Sequence, residues 1–158
     1  ENDVSHVAPD IVHDATKGPV LGLHPDGMAV FFVGGNAMSG IQADVRLNLN
    51  EFAGTVVLAH HVQDAQTFDF LSIDDSAVKL GRLENGEGTV FEEQPRGNTA
   101  DWLELRVYGG DGHFRGYVNG ELVTHGHAKN LEPGPFGLRI DGTGTVLIEQ
   151  IQVQSVVK

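Results

Sequence analysis

Residues 113–127 read HFRGYVNGELVTHGH, which places three histidines, an arginine and a tyrosine around Asn119-Gly120. Imidazole is the commonest side-chain metal ligand, and an H-x-H pair on a strand projects both rings to one side. His125 and His127 are therefore candidate metal ligands. Arg115 and Tyr117 suggest a different chemistry, in which sugar C–H faces stack on rings while guanidinium forks bond hydroxyls. Which chemistry is available depends on which side chains share a face.

Asn-Gly between alternating residues is a strong hairpin signal, because a type I′ turn needs positive φ at both central positions. Unbroken pairing from that turn sets Val118 opposite Glu121, Tyr117 opposite Leu122, Arg115 opposite Thr124 and Phe114 opposite His125. Directly paired residues share a face. Phe114, Val118 and Val123 then lie with His125 and His127, while His113, Arg115 and Tyr117 lie across the sheet with Leu122 and Thr124. One ion held by all three histidines is disfavoured on this register.

The preceding strand extends the pattern. With residues 109–112 as a four-residue loop, Tyr108 opposes His113 and Val107 opposes Phe114. Leu103, Leu105 and Val107 join Phe114 and Val118 on one apolar face, and a one-residue slip would break that agreement. The other face gathers Trp102, Glu104, Arg106, Tyr108, His113, Arg115 and Tyr117 as a candidate surface for a glycan or protein partner. The same residues also suit the solvent face of an ordinary sheet, with opposed Arg106 and Arg115 bridged by carboxylates such as Glu104.

Elsewhere the chemistry is sparser. FDFLSIDDS fits a strand ending in an Asx-type turn, with Asp74 and Asp75 as candidate calcium ligands. Strand neighbours point to opposite faces, so neither Asp74-Asp75 nor Glu92-Glu93 makes an acid–base dyad by itself. His60-His61 closes an apolar run, with one ring expected to face in and the other out at a strand end. No GxSxG elbow, Walker loop or HExxH motif is present.

These side chains sit on elements of period two. Ile41, Ala43, Val45, Leu47 and Leu49 alternate with polar residues, and apolar runs at 28–33, 55–59 and 68–73 suit more deeply buried strands. No window carries a helical stripe, and turn residues punctuate the second half at short intervals. The pattern predicts one all-β domain, a two-sheet antiparallel jelly-roll sandwich without substantial helix, preceded by an extended segment over 1–19. In TVLIEQIQVQ the apolar phase changes between Ile148 and Ile151, which predicts a β-bulge near Glu149-Gln150.

Composition bounds the partners. The chain has 158 residues, no cysteine and a formal charge of −12. Disulfides, thiolate metal sites and cysteine nucleophiles are excluded. Such acidity disfavours nucleic acid and anionic lipid surfaces, and leaves room for a cation on oxygen ligands. No stretch is long and apolar enough to span a bilayer. The start, ENDVSHVAPD, has neither a basic n-region nor an apolar h-region, which fits a cytosolic or a mature exported chain.

The run W-x-E-L-R-V-Y-x(3)-G-H-F-R-G-Y-V-N-G-E-L-V, followed by GPFGLRIDGTGTVLIEQIQV, resembles the concanavalin A-like lectin/glucanase sandwiches. Within them it looks closest to laminin G-like domains and to the bacterial 3-keto-disaccharide hydrolase-like domain family. The resemblance spans roughly residues 28–155 and implies the sandwich fold and an extracytoplasmic location, and no cofactor is expected beyond the calcium for which Asp74 and Asp75 are candidates. Laminarinase-type relatives carry E-[apolar]-D-x-x-E on a strand, and nothing here matches it. Three functions are consistent with this reading. The first is a non-catalytic recognition module for a glycan or protein. The others are an accessory subunit of a larger extracytoplasmic or membrane-associated assembly, and a glycoside-processing hydrolase.

Overall fold

A computed structural model describes residues 7–97 and 100–156, so residues 1–6 of the expected N-terminal extension lie outside it. The described residues form eleven strands and no helix. They are β1 (Asp10–Asp14), β2 (Gly18–Leu23), β3 (Val30–Met38), β4 (Ile41–Asp64), β5 (Thr67–Ile73) and β6 (Ala77–Glu84). β7 (Glu87–Pro95), β8 (Trp102–Gly110), β9 (His113–Val118), β10 (Glu121–His127) and β11 (Gly134–Ser155) complete the set. Part of the segment expected to be merely extended is thus the β1–β2 hairpin, in which Ile11 faces Leu21.

Two long strands make the sandwich. β4 and β11 pair antiparallel over most of their length and bend from one layer into the other where Gly54 meets Gly142. A Cβ on Gly54 would come within 2.2 Å of the Asp141 carbonyl oxygen, and one on Gly142 within 2.2 Å of that of Ala53. Only glycine allows the two backbones to cross so closely. The first sheet runs β10, β9, β8, the first half of β4, the second half of β11, then β2 and β1. The second runs β3, the first half of β11, the second half of β4, then β5, β6 and β7.

The core is the alternation read from the sequence. Ile41, Ala43, Val45 and Leu47 of β4 face inward beside Leu103, Leu105 and Val107 of β8, all at most 1% exposed. Leu58, Leu71, Ile73, Val78, Leu80 and Ile140 close over them from the second sheet. Burying each large aliphatic side chain contributes about 1.5–3 kcal/mol. The bulge in β11 lies where the phase change placed it, between Ile148 and Gln150, with a second between Thr145 and Leu147. Beyond it Ile151 pairs with Val45 and Val153 with Ala43, which turns both inward. The sandwich stays open there. A cavity of about 850 Å³ lies between the sheets, lined by Leu21, Leu23, Phe32, Phe136, Leu138, Ile151 and Val153 among others.

Two hairpins differ from the predicted register, with opposite consequences. Asp111 and Gly112 alone make the β8–β9 turn, with φ of 51° and 75°, so Gly110 opposes His113 and Tyr108 opposes Arg115. The shift is two residues, and every side chain keeps its face. In the β9–β10 hairpin the Asn119-Gly120 turn forms as expected, and Glu121 and Leu122 pair with Val118 and Tyr117. A bulge then intervenes between Leu122 and Thr124. Thr124 pairs with Gly116, His125 with Arg115, and His127 with His113. The extra residue reverses the facing of every later side chain on β10. Thr124 is buried instead of outward, and His125 and His127 join the face of His113 instead of opposing it.

Candidate functional site

The outer face of the first sheet is assembled by β8, β9, β10 and β4. Because Leu103, Leu105 and Val107 face the core, Trp102, Glu104, Arg106 and Tyr108 face out. Across from them stand His113, Arg115 and Tyr117 on β9, with Tyr117 opposite Arg106. On the other side β4 adds Gln42, Asp44, Arg46 and Asn48. The six rings and cations expected to bind a partner, Trp102, Arg106, Tyr108, His113, Arg115 and Tyr117, therefore share one face with Glu104. Trp102 lies at its far end, about 20 Å along β8 from Tyr108 at the usual strand rise.

Most charges on this face are spent on each other. Arg106 Nε donates to Asp44 Oδ1 at 2.6 Å, and Arg46 Nε to Glu104 Oε2 at 3.0 Å. Arg106 and Arg115 are not opposed, so the expected repulsion does not arise, and Glu104 serves Arg46 instead of bridging them. Asp44 and Arg46 are contributors that the sequence reading missed. Their signal was the polar parity of residues 42–48, which must face out once the alternate parity faces in. Arg115 is different. Among the described residues it has no carboxylate partner, and its guanidinium lies over the Tyr108 ring at 5.5 Å. The result is an aromatic ring capped by an exposed cation whose hydrogen-bond donors remain available. Trp102 sits apart, in a shallow depression with Lys17, whose ammonium lies 5.7 Å from the indole, and Glu149.

The three histidines gather at the opposite corner. The ring centroids of His113 and His127 are 4.6 Å apart, and those of His125 and His127 are 6.3 Å apart. The backbone N–H of His125 donates to Glu92 Oε1 at 2.7 Å, so a β7 side chain satisfies the exposed edge of β10. That bond, with one from Gln94, holds the Glu92 carboxyl below its usual range.

At the β5–β6 turn Asp74 forms the Asx turn expected of it. Its Oδ1 accepts from Ser76 N, Ser76 Oγ and Ala77 N at 2.8, 3.0 and 2.8 Å. Partial burial pushes this carboxyl up, but these bonds outweigh it and hold it below its usual range. Asp75 is exposed beside it.

The His60-His61 pair departs from expectation. Both rings are buried, at 0% and 1% exposure, because His61 adopts a left-handed φ of 51° and the β4–β5 register breaks after His60. Strict alternation fails at that residue, so neighbouring rings enter the same interior. His61 Nε2 donates to the Ser39 carbonyl at 2.8 Å. In a neutral ring its Nδ1 then accepts from His60 Nδ1 at 2.7 Å, leaving the His60 Nε2 lone pair without a partner among the described residues. Burial, with His61 and Arg82 nearby, pushes the His60 ring well below the usual imidazole range. Beside them Asp69, 1% exposed, takes a fork from Arg82 at 2.6 and 3.2 Å. Burial pushes this carboxyl up while Arg82 pulls it back.

His60, His61 and Asp69 place ligating atoms within 4.8 Å of one another. A dication there would meet the Arg82 guanidinium without solvent between them, so the cluster is a self-neutralised polar anchor in the core. One sign of it was legible. Asp69 occupies the core parity of β5 with Leu71 and Ile73, and an inward acid requires a base.

No protein-family model matches the chain, and no curated protein matches it. Solved structures do. The carbohydrate binding module CBM66 from Bacillus subtilis superposes with a TM-score of 0.71 at 18% identity, over 98% of this chain and 99% of that one. A Bacillus subtilis protein of unknown function with a galectin-like fold gives 0.70 at 11% identity, over 97% and 89%. A Bacillus licheniformis beta-glucanase gives 0.62 at 10% identity, over 99% and 92%. The fold is a concanavalin A-like jelly-roll sandwich. At these identities the likeness is one of fold. That fold is shared with a protein described as a carbohydrate binding module, and site chemistry must be argued from this chain's own residues.

Proposed function

We propose that the chain is a non-catalytic recognition module that works outside the cytoplasm and binds a glycan through the outer face of its first sheet. The observation that carries this reading is the Tyr108–Arg115–Tyr117 surface, where a guanidinium without a carboxylate partner among the described residues rests on one ring beside a second. A sugar ring laid on Tyr117 would offer its hydroxyls to Arg115, while Arg106, fixed by Asp44, defines the floor. The resemblance read from the sequence and the likeness in fold to a carbohydrate binding module both support this choice of ligand. Binding without chemistry is supported by the state of the carboxylates. Asp44 and Glu104 are each engaged by an arginine, and Asp69 is closed to solvent.

Glycan-array binding by the purified chain and by Arg115→Ala/Tyr117→Ala, each with calcium and with EDTA, tests the reading. Specific binding that the double variant abolishes is expected. Loss in EDTA would add a cation, for which Asp74 and Asp75 are the oxygen ligands to try. Equal binding by the double variant would overturn the assignment to this face.

A second reading, an adaptor subunit, is favoured by the open apolar cavity between the sheets. An apolar recess of this kind on an isolated chain suits a partner's hydrophobic segment. A blank glycan array together with stable capture of a protein partner that Ile151→Asp abolishes would select it.

A further inference from the structure

We propose that His113, His125 and His127 form a site for one divalent transition-metal ion of the zinc class on the outer face of the β9–β10 hairpin. The geometry is built by the bulge between Leu122 and Thr124, which turns an H-x-H pair on β10 toward the face that already carries His113. Two ligands two residues apart on one strand, with a third directly opposite His127 on its neighbour, project to the same side of the sheet. Two imidazoles on one tetrahedral ion, with metal–nitrogen bonds of about 2.0–2.1 Å, have centroids roughly 5 Å apart. The observed separations of 4.6 and 6.3 Å lie on either side of that value. His125 and His127 are exposed and His113 half-buried, so side-chain rotation closes the set without disturbing the core.

The surroundings suit a cation. Arg115 stands opposite His125 and would repel one, but its guanidinium is drawn the other way, over Tyr108 of β8. Glu92 brings a carboxylate to the β10 edge and pins the strand that bears two of the ligands. The net charge of −12 attracts cations in general. A set of three neutral imidazoles selects among them. Calcium and magnesium require oxygen ligands, whereas zinc, nickel and copper accept nitrogen. Three protein ligands leave a fourth position open to solvent, for water or for an oxygen of a bound molecule. The site stands whether or not the neighbouring face binds a glycan.

Calorimetric titration of the untagged chain with zinc chloride at pH 7.5 tests it, alongside His113→Ala, His125→Ala, His127→Ala and the exposed control His13→Ala. One ion per chain is expected. Losing a direct ligand should cost at least the roughly 10–100-fold that lost outer partners cost, most of all for His127, which neighbours both other rings. His13→Ala should bind like the parent. In the parent chain, ring proton–nitrogen correlations of these three histidines should shift together on zinc addition, a readout that requires no variant to fold. Absence of saturable binding, undiminished binding by His127→Ala, or shifts at other histidines alone would overturn the proposal. Calcium binding of equal strength would overturn it too.

Discussion

The molecule holds two groups of histidines, one in the core between the sheets and one on the outer face of the first sheet, and each exists because strand alternation fails by a single residue. At His61 a left-handed backbone turns two neighbouring rings into the core, where His60 stacks on Phe114 at 6.0 Å. At the bulge before Thr124 the extra residue carries His125 and His127 outward to meet His113. The inner pair is held by its own neighbours and shielded from solvent, with the His60 Nε2 lone pair left without a partner among the described residues. The outer three contact mainly one another and face water. The same side chain therefore serves stability in one place and is left open to ligands in the other.

The difference can be broken most forcefully from inside. Asp69→Ala leaves the Arg82 guanidinium, only 13% exposed, facing buried imidazoles without its carboxylate. Removing one member of a buried pair costs about 3–5 kcal/mol, and denaturant unfolding should show a loss in that range. Gly109→Ala comes next. Its Cβ would lie 2.3 Å from Cε1 of His60, a ring already fixed by hydrogen bonding. Overpacking of this kind costs about 1–3 kcal/mol, readable in the same experiment.

The inner pair also predicts a pH dependence. An unfolded chain protonates His60 near the usual imidazole pKa of about 6.5, and the folded chain only well below it. The unfolded state then binds more protons, so the contribution is complete above that pH and is lost as pH falls. One such group gives a slope of about 1.4 kcal/mol per pH unit. Asp69, whose carboxyl is pushed up, works in the opposite sense at lower pH. Unfolding midpoints should decline between pH 6.5 and 5, and His60→Leu should flatten that decline. The outer group predicts the smallest effect on stability. His127→Ala should change it by no more than about 0.5 kcal/mol, as surface substitutions do, while weakening zinc binding.

How much of this was legible in the sequence depends on what kept its period. The strands, the sandwich and the outer face of β8 and β9 were legible because alternation along residues 41–49 of β4 and 102–109 of β8 is unbroken. The β8–β9 turn was misjudged by two residues without harm, since two is the period of a strand. The bulge in β11 was legible because apolar residues change parity there. The bulge in β10 was not, because Val123 and Thr124 are similar enough in shape that either reads as the inward residue. In the structure Thr124 is the inward one, packed against Gly116, where a Cβ would approach its Oγ1 to 2.5 Å. Likewise nothing in the letters His-His announces a positive φ.

The proposed recognition surface is the outer face of β8 and β9 and not the open cavity between the sheets. Amide and side-chain shift mapping of the labelled chain, titrated with the best glycan from an array, separates the two. Saturable changes centred on Tyr108, Arg115 and Tyr117 are expected, with Leu21 and Ile151 still. Changes centred on the cavity residues, with the outer face silent, would contradict the assignment.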